Sequence, residues 1–387
     1  AGRAPHAPPL LVACDARDER GMARWLAAGA SDCIALAAPD AEWRVRLALL
    51  SPPRESAGET PQVRGFLHGS AASAAIAARL PTLAACGANV LIVGETGTGK
   101  EVCAQAVHYL SARAARPMVA VNCGAIPAEL VEAELFGHVK GAYTTAHASR
   151  SGLVQEAEGG TLFLDDVDCL PLQAQAKLLR FLQEHEYRPL GSNAVRRADV
   201  RVVAASNCDL YALSRQDRFR QDLYFRLNVL NIALPPLRDR REDLPVLALH
   251  FARSFAREFD RPARTLSSAA LAKLARHDWP GNVRELQHVI ERAVVLATGP
   301  VLGSADIDID LAAPSRDDAP QASFRDAKKR VVDAFERDYI ERLLEAHAGN
   351  ITNAARVAHR DTLVPINRKW PIAELLRPGR AGSNTAA

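Results

Sequence analysis

The chain has 387 residues, with 48 Lys+Arg against 45 Asp+Glu for a net charge of +3, and it is 48% hydrophobic and 24% charged. That balance excludes an intrinsically disordered chain, which would be apolar-poor and strongly charged. No apolar run reaches the length of about 18 residues that a membrane span needs, and the length suits two or three domains.

The opening, AGRAPHAPPLLVACDARDE, has a short apolar run soon broken by Asp15 and no initiator Met. No signal peptide is therefore expected, and the original start of the chain is expected to be missing. The next elements read as strand (10–14), helix (20–28), strand (33–36) and helix (40–50). That is half of a doubly wound α/β unit, too small to bury a good core unaided. Two stretches rich in Pro, Ser and acidic residues, 51–64 and 312–323, read as linkers. They delimit a central block, 65–311, and a C-terminal piece, 324–387. The seven cysteines (14, 33, 86, 103, 123, 169 and 208) are odd in number and contain no C-x-x-C pair. They read as buried thiols of a reducing cytoplasm, not as a disulfide frame or a zinc site.

In the central block, ANVLIVGETGTGKEVCAQAVHYL (88–110) is an apolar strand, a Gly-rich turn and a helix starting near Gly99. It matches the phosphate-binding pattern G-x-x-x-x-G-K in the strand–turn–helix context that gives that pattern meaning. Gly94, Gly97 and Gly99 let the amides of the turn wrap phosphate oxygens. The helix N-terminus adds partial positive charge, and Lys100 reaches the β- and γ-phosphates. Glu101 stands where a Mg²⁺-binding hydroxyl is usual. Downstream, GGTLFLDDVDCL (159–170) is an apolar strand ending in Asp165 and Asp166. Acids at the end of a buried strand are costly unless they face a metal or polar site. Asp165 holding a nucleotide-bound Mg²⁺, with Asp166 orienting a water, supplies that reason.

A third strand, ADVRVVAASN (198–207), ends in Asn207, a polar group where a γ-phosphate or water could be sensed. DRFRQDLYFRLNV (217–229) carries Arg220 and Arg226, whose planar forks suit charge on a transferring phosphoryl group. WPGNVRELQHVIERAVVLA (279–297) is a turn and then a helix with an apolar stripe of Leu286, Val289, Ile290, Ala293 and Val294. Arg284 falls in its first turn, where a cation opposes the helix dipole and so points to a nearby anion.

The C-terminal piece begins with a long amphipathic helix over 324–350, apolar at 324, 331, 335, 339 and 343 and ending at Gly349. ITNAARVA starts a second helix. Residues 351–380 hold six Lys/Arg and two acids, which leaves the rest of the chain near −1. On charge alone, a basic tail domain on a neutral body fits nucleic-acid contact or a merely solvated basic tail.

GETGTGKE, ELFGHVKGAYTTA, GGTLFLDD, QAKLLRFLQE, FRQDLYFRLNV, LPPLRDRREDLP and WPGNVREL follow one another in the order found in bacterial enhancer-binding proteins. These AAA+ activators of sigma-54 RNA polymerase include nitrogen regulatory protein C, which the chain resembles over about residues 65–300. The resemblance implies an α/β AAA+ P-loop core (65–235), a helical lid (236–311) and a ring, dimer to hexamer, with ATP and Mg²⁺ between subunits. By position, Gly94, Glu95, Thr96, Gly97, Thr98, Gly99, Lys100 and Glu101 bind nucleotide, and Asp165 supports the metal. Asp166 takes the place of the water-polarising acid, and Asn122 that of the asparagine linked to it. Asn207 is the first sensor, Arg284 the second, and Arg220 and Arg226 the fingers that reach the neighbour's ATP.

Residues 1–50 resemble the last two β/α units of a receiver domain, whose phosphorylated Asp would lie upstream of residue 1. Residues 324–387 resemble a Fis-like helix-turn-helix domain, with Arg360, Thr362, Asn367, Arg368 and Lys369 in the part like a recognition helix. The implied partners are an upstream DNA site and sigma-54 holoenzyme, with no membrane, in the cytoplasm. Three departures stand out. Asp165-Asp166 replaces Asp-Glu. The sigma-contacting loop reads Gly141, Ala142, Tyr143, Thr144, Thr145, Ala146 where the family has G-A-F-T-G-A. Pro365 falls inside the recognition helix, which it would break or kink. These departures keep open a rival reading: a nucleotide- and DNA-binding regulator that has lost remodelling and acts by contact with another polymerase form.

Overall fold

A computed structural model of the chain describes residues 8–15, 18–50, 66–142, 148–261 and 265–309. Positions 143–146 of the loop, both linkers (51–64 and 312–323), and Arg360, Thr362, Pro365, Asn367, Arg368 and Lys369 lie outside the described residues.

The N-terminal piece is β1 (Leu11–Cys14), α1 (Glu19–Ala27), β2 (Asp32–Ala35) and α2 (Asp40–Leu50). The core then runs through α3 (Ala71–Ala85), β3 (Val90–Val93), α4 (Lys100–Tyr109), β4 (Met118–Asn122), α5 (Val131–Phe136) and α6 (Leu153–Glu156). It continues with β5 (Thr161–Asp165), α7 (Leu172–Glu184), β6 (Glu186–Tyr187), β7 (Arg196–Arg197), β8 (Arg201–Ser206), α8 (Leu210–Ser214), α9 (Gln221–Leu227) and β9 (Leu230–Ala233). The last part holds α10 (Asp243–Glu258), β10 (Thr265–Leu266), α11 (Ser268–Ala275), α12 (Asn282–Leu296) and β11 (Val301–Leu302).

The central sheet is parallel, in the order β4-β5-β8-β3-β9. Its central strands are apolar runs such as VLIV of β3, and all six residues of β8 are buried. That is the pattern of a sheet covered by helices on both faces. Inserting β8 between β5 and β3 brings the ends of β3, β4 and β5 to one edge, where ligands of open α/β sheets bind. The lid is a separate helical core in which the α12 stripe Leu286, Val289, Ile290, Ala293 and Val294 packs with Leu244, Leu271 and the fully buried Trp279.

The cysteines need a correction. All seven are free thiols, but only Cys33, Cys103 and Cys123 are buried, whereas Cys86, Cys169 and Cys208 are exposed. Cys103 lies inside the apolar face of α4. Cys169 and Cys208 follow Asp168 and Asn207 at the polar edge of the sheet, where neighbours no longer cover them.

The N-terminal piece is not an independent body. α2 lays its fully buried Arg46 between Asp32 of β2 and the strand β10. Its guanidinium donates to Asp32 Oδ1 (2.8 Å), Glu42 Oε1 (2.9 Å), Thr265 Oγ1 (2.9 Å) and the Leu266 carbonyl (2.7 Å). Arg253 of α10 donates to the other Asp32 oxygen at 2.8 Å. A buried charge persists only when paired and hydrogen-bonded in this way. The half-domain, too small for a core of its own, completes its burial against the lid.

Candidate nucleotide site

A cavity of about 310 Å³ lies where the P-loop, the acidic strand ends and the lid meet. It is lined by Thr96–Val102, Asn122, Asp165, Asp166 and Arg284, together with a mainly apolar end formed by Phe66, Leu67, Leu247, His250, Phe251 and Val283.

The phosphate end follows from local sequence. Gly97 and Gly99 have φ of +80° and +99°, which glycine adopts without a Cβ penalty. A side chain at Gly97 would also collide with the Gly281 carbonyl of the lid. α4 begins at Lys100 with no side-chain cap, so its first amides remain available to an anion. Lys100 is 7% exposed, and its ammonium donates to the carbonyls of Gly94 (2.8 Å) and Glu95 (3.2 Å). Burial holds its pKa below the usual lysine value, against the opposing pull of Asp165, Asp166 and Asp168. A phosphate that replaced those carbonyls would give the buried cation a full counter-charge.

At the acidic end, β4 and β5 pair in a register that sets Asn122 beside Asp165. Asn122 Oδ1 accepts from the amides of Gly124 (2.9 Å) and Ala125 (3.1 Å), which leaves Nδ2 3.4 Å from Asp166 Oδ2. Asp166 sits at φ +51°, a left-handed conformation that Asp tolerates better than most residues. Burial first, then Asp166, raises the Asp165 pKa, while Lys100 lowers it. A half-buried carboxylate next to a second one fits a divalent cation carried in on phosphate oxygens. Mg²⁺ in such sites takes one or two carboxylates and keeps several waters.

The lid is latched to the P-loop. The Val283 amide donates to the Gly97 carbonyl at 2.9 Å. Asn282, fully buried and at φ +53°, donates to Glu95 Oε2 (3.1 Å) and the Thr96 carbonyl (3.0 Å), and its Oδ1 accepts from the Leu237 amide. Arg238 grips Glu95 through two bonds of 2.6 and 2.9 Å, which holds the Glu95 carboxyl below its ordinary pKa. Glu95 is thereby turned towards the lid. Sequence reading missed Asn282, Arg238 and Arg240, because within WPGNVREL and LPPLRDRREDLP they look like turn and surface residues. The usable signal was Asn282 itself, since asparagine adopts a positive φ more readily than most residues.

Three predicted residues lie away from this cavity. Asn207 caps the end of β8 and pairs with Cys208 Sγ at 2.9 Å. Arg220 is bound to Asp222 at 2.7 Å. Arg226 donates to the Leu182 carbonyl at 3.1 Å and lines a second cavity with Gly87, Asn89 and Val229. Of the predicted loop, Gly141 and Ala142 are described. They rise from a neck in which His138 bridges both Arg150 and Leu190.

The Sigma-54 interaction domain model matches residues 66–233, and the AAA+ ATPase lid domain model matches residues 238–324. Transcriptional regulatory protein GlrR of Escherichia coli K12 is 44% identical over 273 residues, 70% of this chain and 60% of that protein. Transcriptional regulatory protein ZraR of the same strain is 42% identical over 323 residues, 82% of this chain and 71% of that protein. A crystal structure of NtrX from Brucella abortus in complex with ADP superposes with a TM-score of 0.60 at 26% identity, covering 95% of this chain and 84% of that one. The chain thus spans about 60% of the length of some curated relatives and more of others. On the P-loop core, the lid and these matches together, the chain belongs to the sigma-54-dependent enhancer-binding family of AAA+ proteins.

Proposed function

We propose that this chain is a transcriptional regulator that binds and hydrolyses ATP to activate sigma-54 RNA polymerase. The observation that carries the reading is the convergence of P-loop, paired acids and lid on one cavity, with Lys100, Asp165, Asp166, Asn122 and Arg284 around it. In this reading Lys100 exchanges the Gly94 and Glu95 carbonyls for phosphate oxygens, and the amides from Gly97 to Glu101 cradle them. Asp165 would hold Mg²⁺, which when bound neutralises phosphate charge. Asp166 orients the attacking water, and Asn122 fixes Asp166. Arg284, at the start of α12, carries the state of the phosphates into the lid, because its neighbour Val283 is bonded to Gly97.

The same reading divides the ATPase into residues 65–235 and 236–311, and assembles it as a cytoplasmic homo-oligomer, dimer to hexamer. Arg220 and Arg226 then serve a neighbour's nucleotide, and Asn207 is the first sensor. The loop 141–146 would engage sigma-54 as hydrolysis shifts its neck. Residues 324–387, through Arg360, Thr362, Asn367, Arg368 and Lys369, would anchor the ring to an upstream DNA site, and residues 1–50 would act as a receiver-like remnant. The test is open-complex formation by sigma-54 holoenzyme on its promoter, with and without ATP, using wild type and Lys100→Ala. ATP-dependent opening by wild type alone supports the reading. ATP binding without opening would overturn the sigma-54 assignment.

A further inference from the structure

Arg240 lies just before α10, lines the nucleotide cavity and is only 4% exposed. Its Nη2 donates to the Thr98 carbonyl of the P-loop at 2.6 Å. Among the described residues the carboxylate paired with it, Asp243, is already occupied. Asp243 Oδ1 accepts from the amides of Gly69 and Ser70, both at 2.6 Å, and Oδ2 accepts from Ser73 Oγ. Arg240 Nη1 therefore stands 3.7 Å from Asp243 Oδ2, too far for a hydrogen bond. Among the described residues, Arg240 Nε is buried with no hydrogen-bond partner.

A guanidinium has five donors and is always charged, so leaving it this poorly paired in the interior is costly. The cost makes sense if the missing partner is the ligand. We propose that Arg240 is a nucleotide-binding residue whose spare donors contact a phosphate oxygen of the bound nucleotide, alongside Lys100 and Arg284. Asp243 is then a positioning residue with two duties. It orients Arg240, and it fastens the start of α3, next to Phe66 and Leu67 at the apolar end of the cavity. A phosphate that engages Arg240 is thereby linked through one carboxylate to the segment at the apolar end of the cavity.

This rests on the nucleotide reading above, and the experiment separates the two. ADP is titrated into wild type, Arg240→Gln, Arg240→Lys and Lys100→Ala by calorimetry. The melting temperature without ligand and the phosphorus NMR spectrum of saturating ADP are recorded for each. Absence of ADP binding by wild type would sink the nucleotide reading itself. If Arg240 meets a phosphate, Arg240→Gln weakens ADP by about ten- to hundredfold, the range for a hydrogen bond to a charged group. Arg240→Lys, which keeps the charge, recovers part of that loss. In Arg240→Gln a phosphorus resonance of bound ADP also moves. A residue that merely buttresses Thr98 would leave the phosphorus spectrum of bound ADP as in wild type, and the ligand-free melting temperature shows whether each variant is folded. An unshifted spectrum overturns the proposal, whatever the affinity.

Discussion

Asn122 Nδ2 lies 3.4 Å from Asp166 Oδ2, at the long end of a hydrogen bond, although Asn122 is already oriented by two amides on its other atom. The slack is on the acid. Asp166 starts from a left-handed backbone and has one methylene less than glutamate, so its carboxylate stops short of the asparagine. Asp166→Glu should close this gap, bring the carboxylate about 1 Å nearer the water position, and raise ATP turnover by up to about 10²-fold. Steady-state hydrolysis by the two proteins at saturating ATP checks this. Equal or lower turnover by the variant would show that the shorter acid is already well placed.

What could be read in the sequence was what is local. VLIV before GETGTGK and TLFL before Asp165-Asp166 define strand ends and their polar tips without any knowledge of the rest of the chain. The α12 stripe is equally local, because helical period alone puts Leu286, Ile290 and Val294 on one face. The lid latch and the N-terminal docking were not legible. Arg46 finds Leu266 across 220 positions, and Asp243 finds Ser70 across 173. Nothing in the residues around Arg46 or Asp243 distinguishes a buried charge from a solvated one. LRDRRED reads as a surface charge run until the fold buries Arg240 and Asp243 and leaves Arg238 and Arg241 outside.

The Arg46 cluster makes a stability prediction. Arg46→Ala would leave Asp32, which is fully buried, with Arg253 as its remaining cationic partner, and would strip Leu266 of a donor. Breaking a buried pair from one side costs about 3–5 kcal/mol. The loss should fall on the docking of residues 8–50 against the lid. Limited proteolysis should release that segment from the variant well before the ATPase core is cut, with the core's own melting little changed. Equal protease resistance in the two proteins would show that apolar contacts suffice to hold the segment.

Acidification should weaken the core at a defined residue. His108 on α4 is buried, its Nδ1 is 2.9 Å from Thr161 Oγ1 on β5, and burial lowers its pKa from the ordinary 6.5. The folded protein therefore prefers neutral imidazole, and below 6.5 the unfolded chain takes up the proton more readily than the folded one. Stability from this group is full above pH 6.5 and falls as pH drops through and below that value. Urea unfolding at pH 7.5 and 5.5 should show a loss that shrinks in His108→Gln, which cannot titrate. The same loss in both proteins would place the acid sensitivity elsewhere.

Arg226, one of the two arginines proposed as fingers, lies at the far end of β3 from its own P-loop. Arg226 carries its backbone carbonyl 3.2 Å from Asn89 Nδ2, just before β3, whereas the P-loop follows Val93 at the other end of that strand. The strand between them is about 10 Å long. The Arg226 side chain turns further from the loop, to the Leu182 carbonyl, and Arg220 is tied to Asp222 on the exposed surface. The proposed role is action on a neighbour's ATP, and such fingers are worth about 10³–10⁵ in rate. Specific ATPase activity should therefore climb with protein concentration as rings form. Arg226→Ala and Lys100→Ala proteins should each be nearly inactive. Mixed in equal amounts they should regain activity, because an intact P-loop on one subunit can meet an intact Arg226 on the next. With random mixing, roughly a quarter of the interfaces would carry both. The same mixture made with a double variant, Lys100→Ala with Arg226→Ala, should regain nothing. Activity that stays flat on dilution, or a mixture as dead as its parts, would assign Arg226 to the packing around Leu182 and take it out of the chemistry.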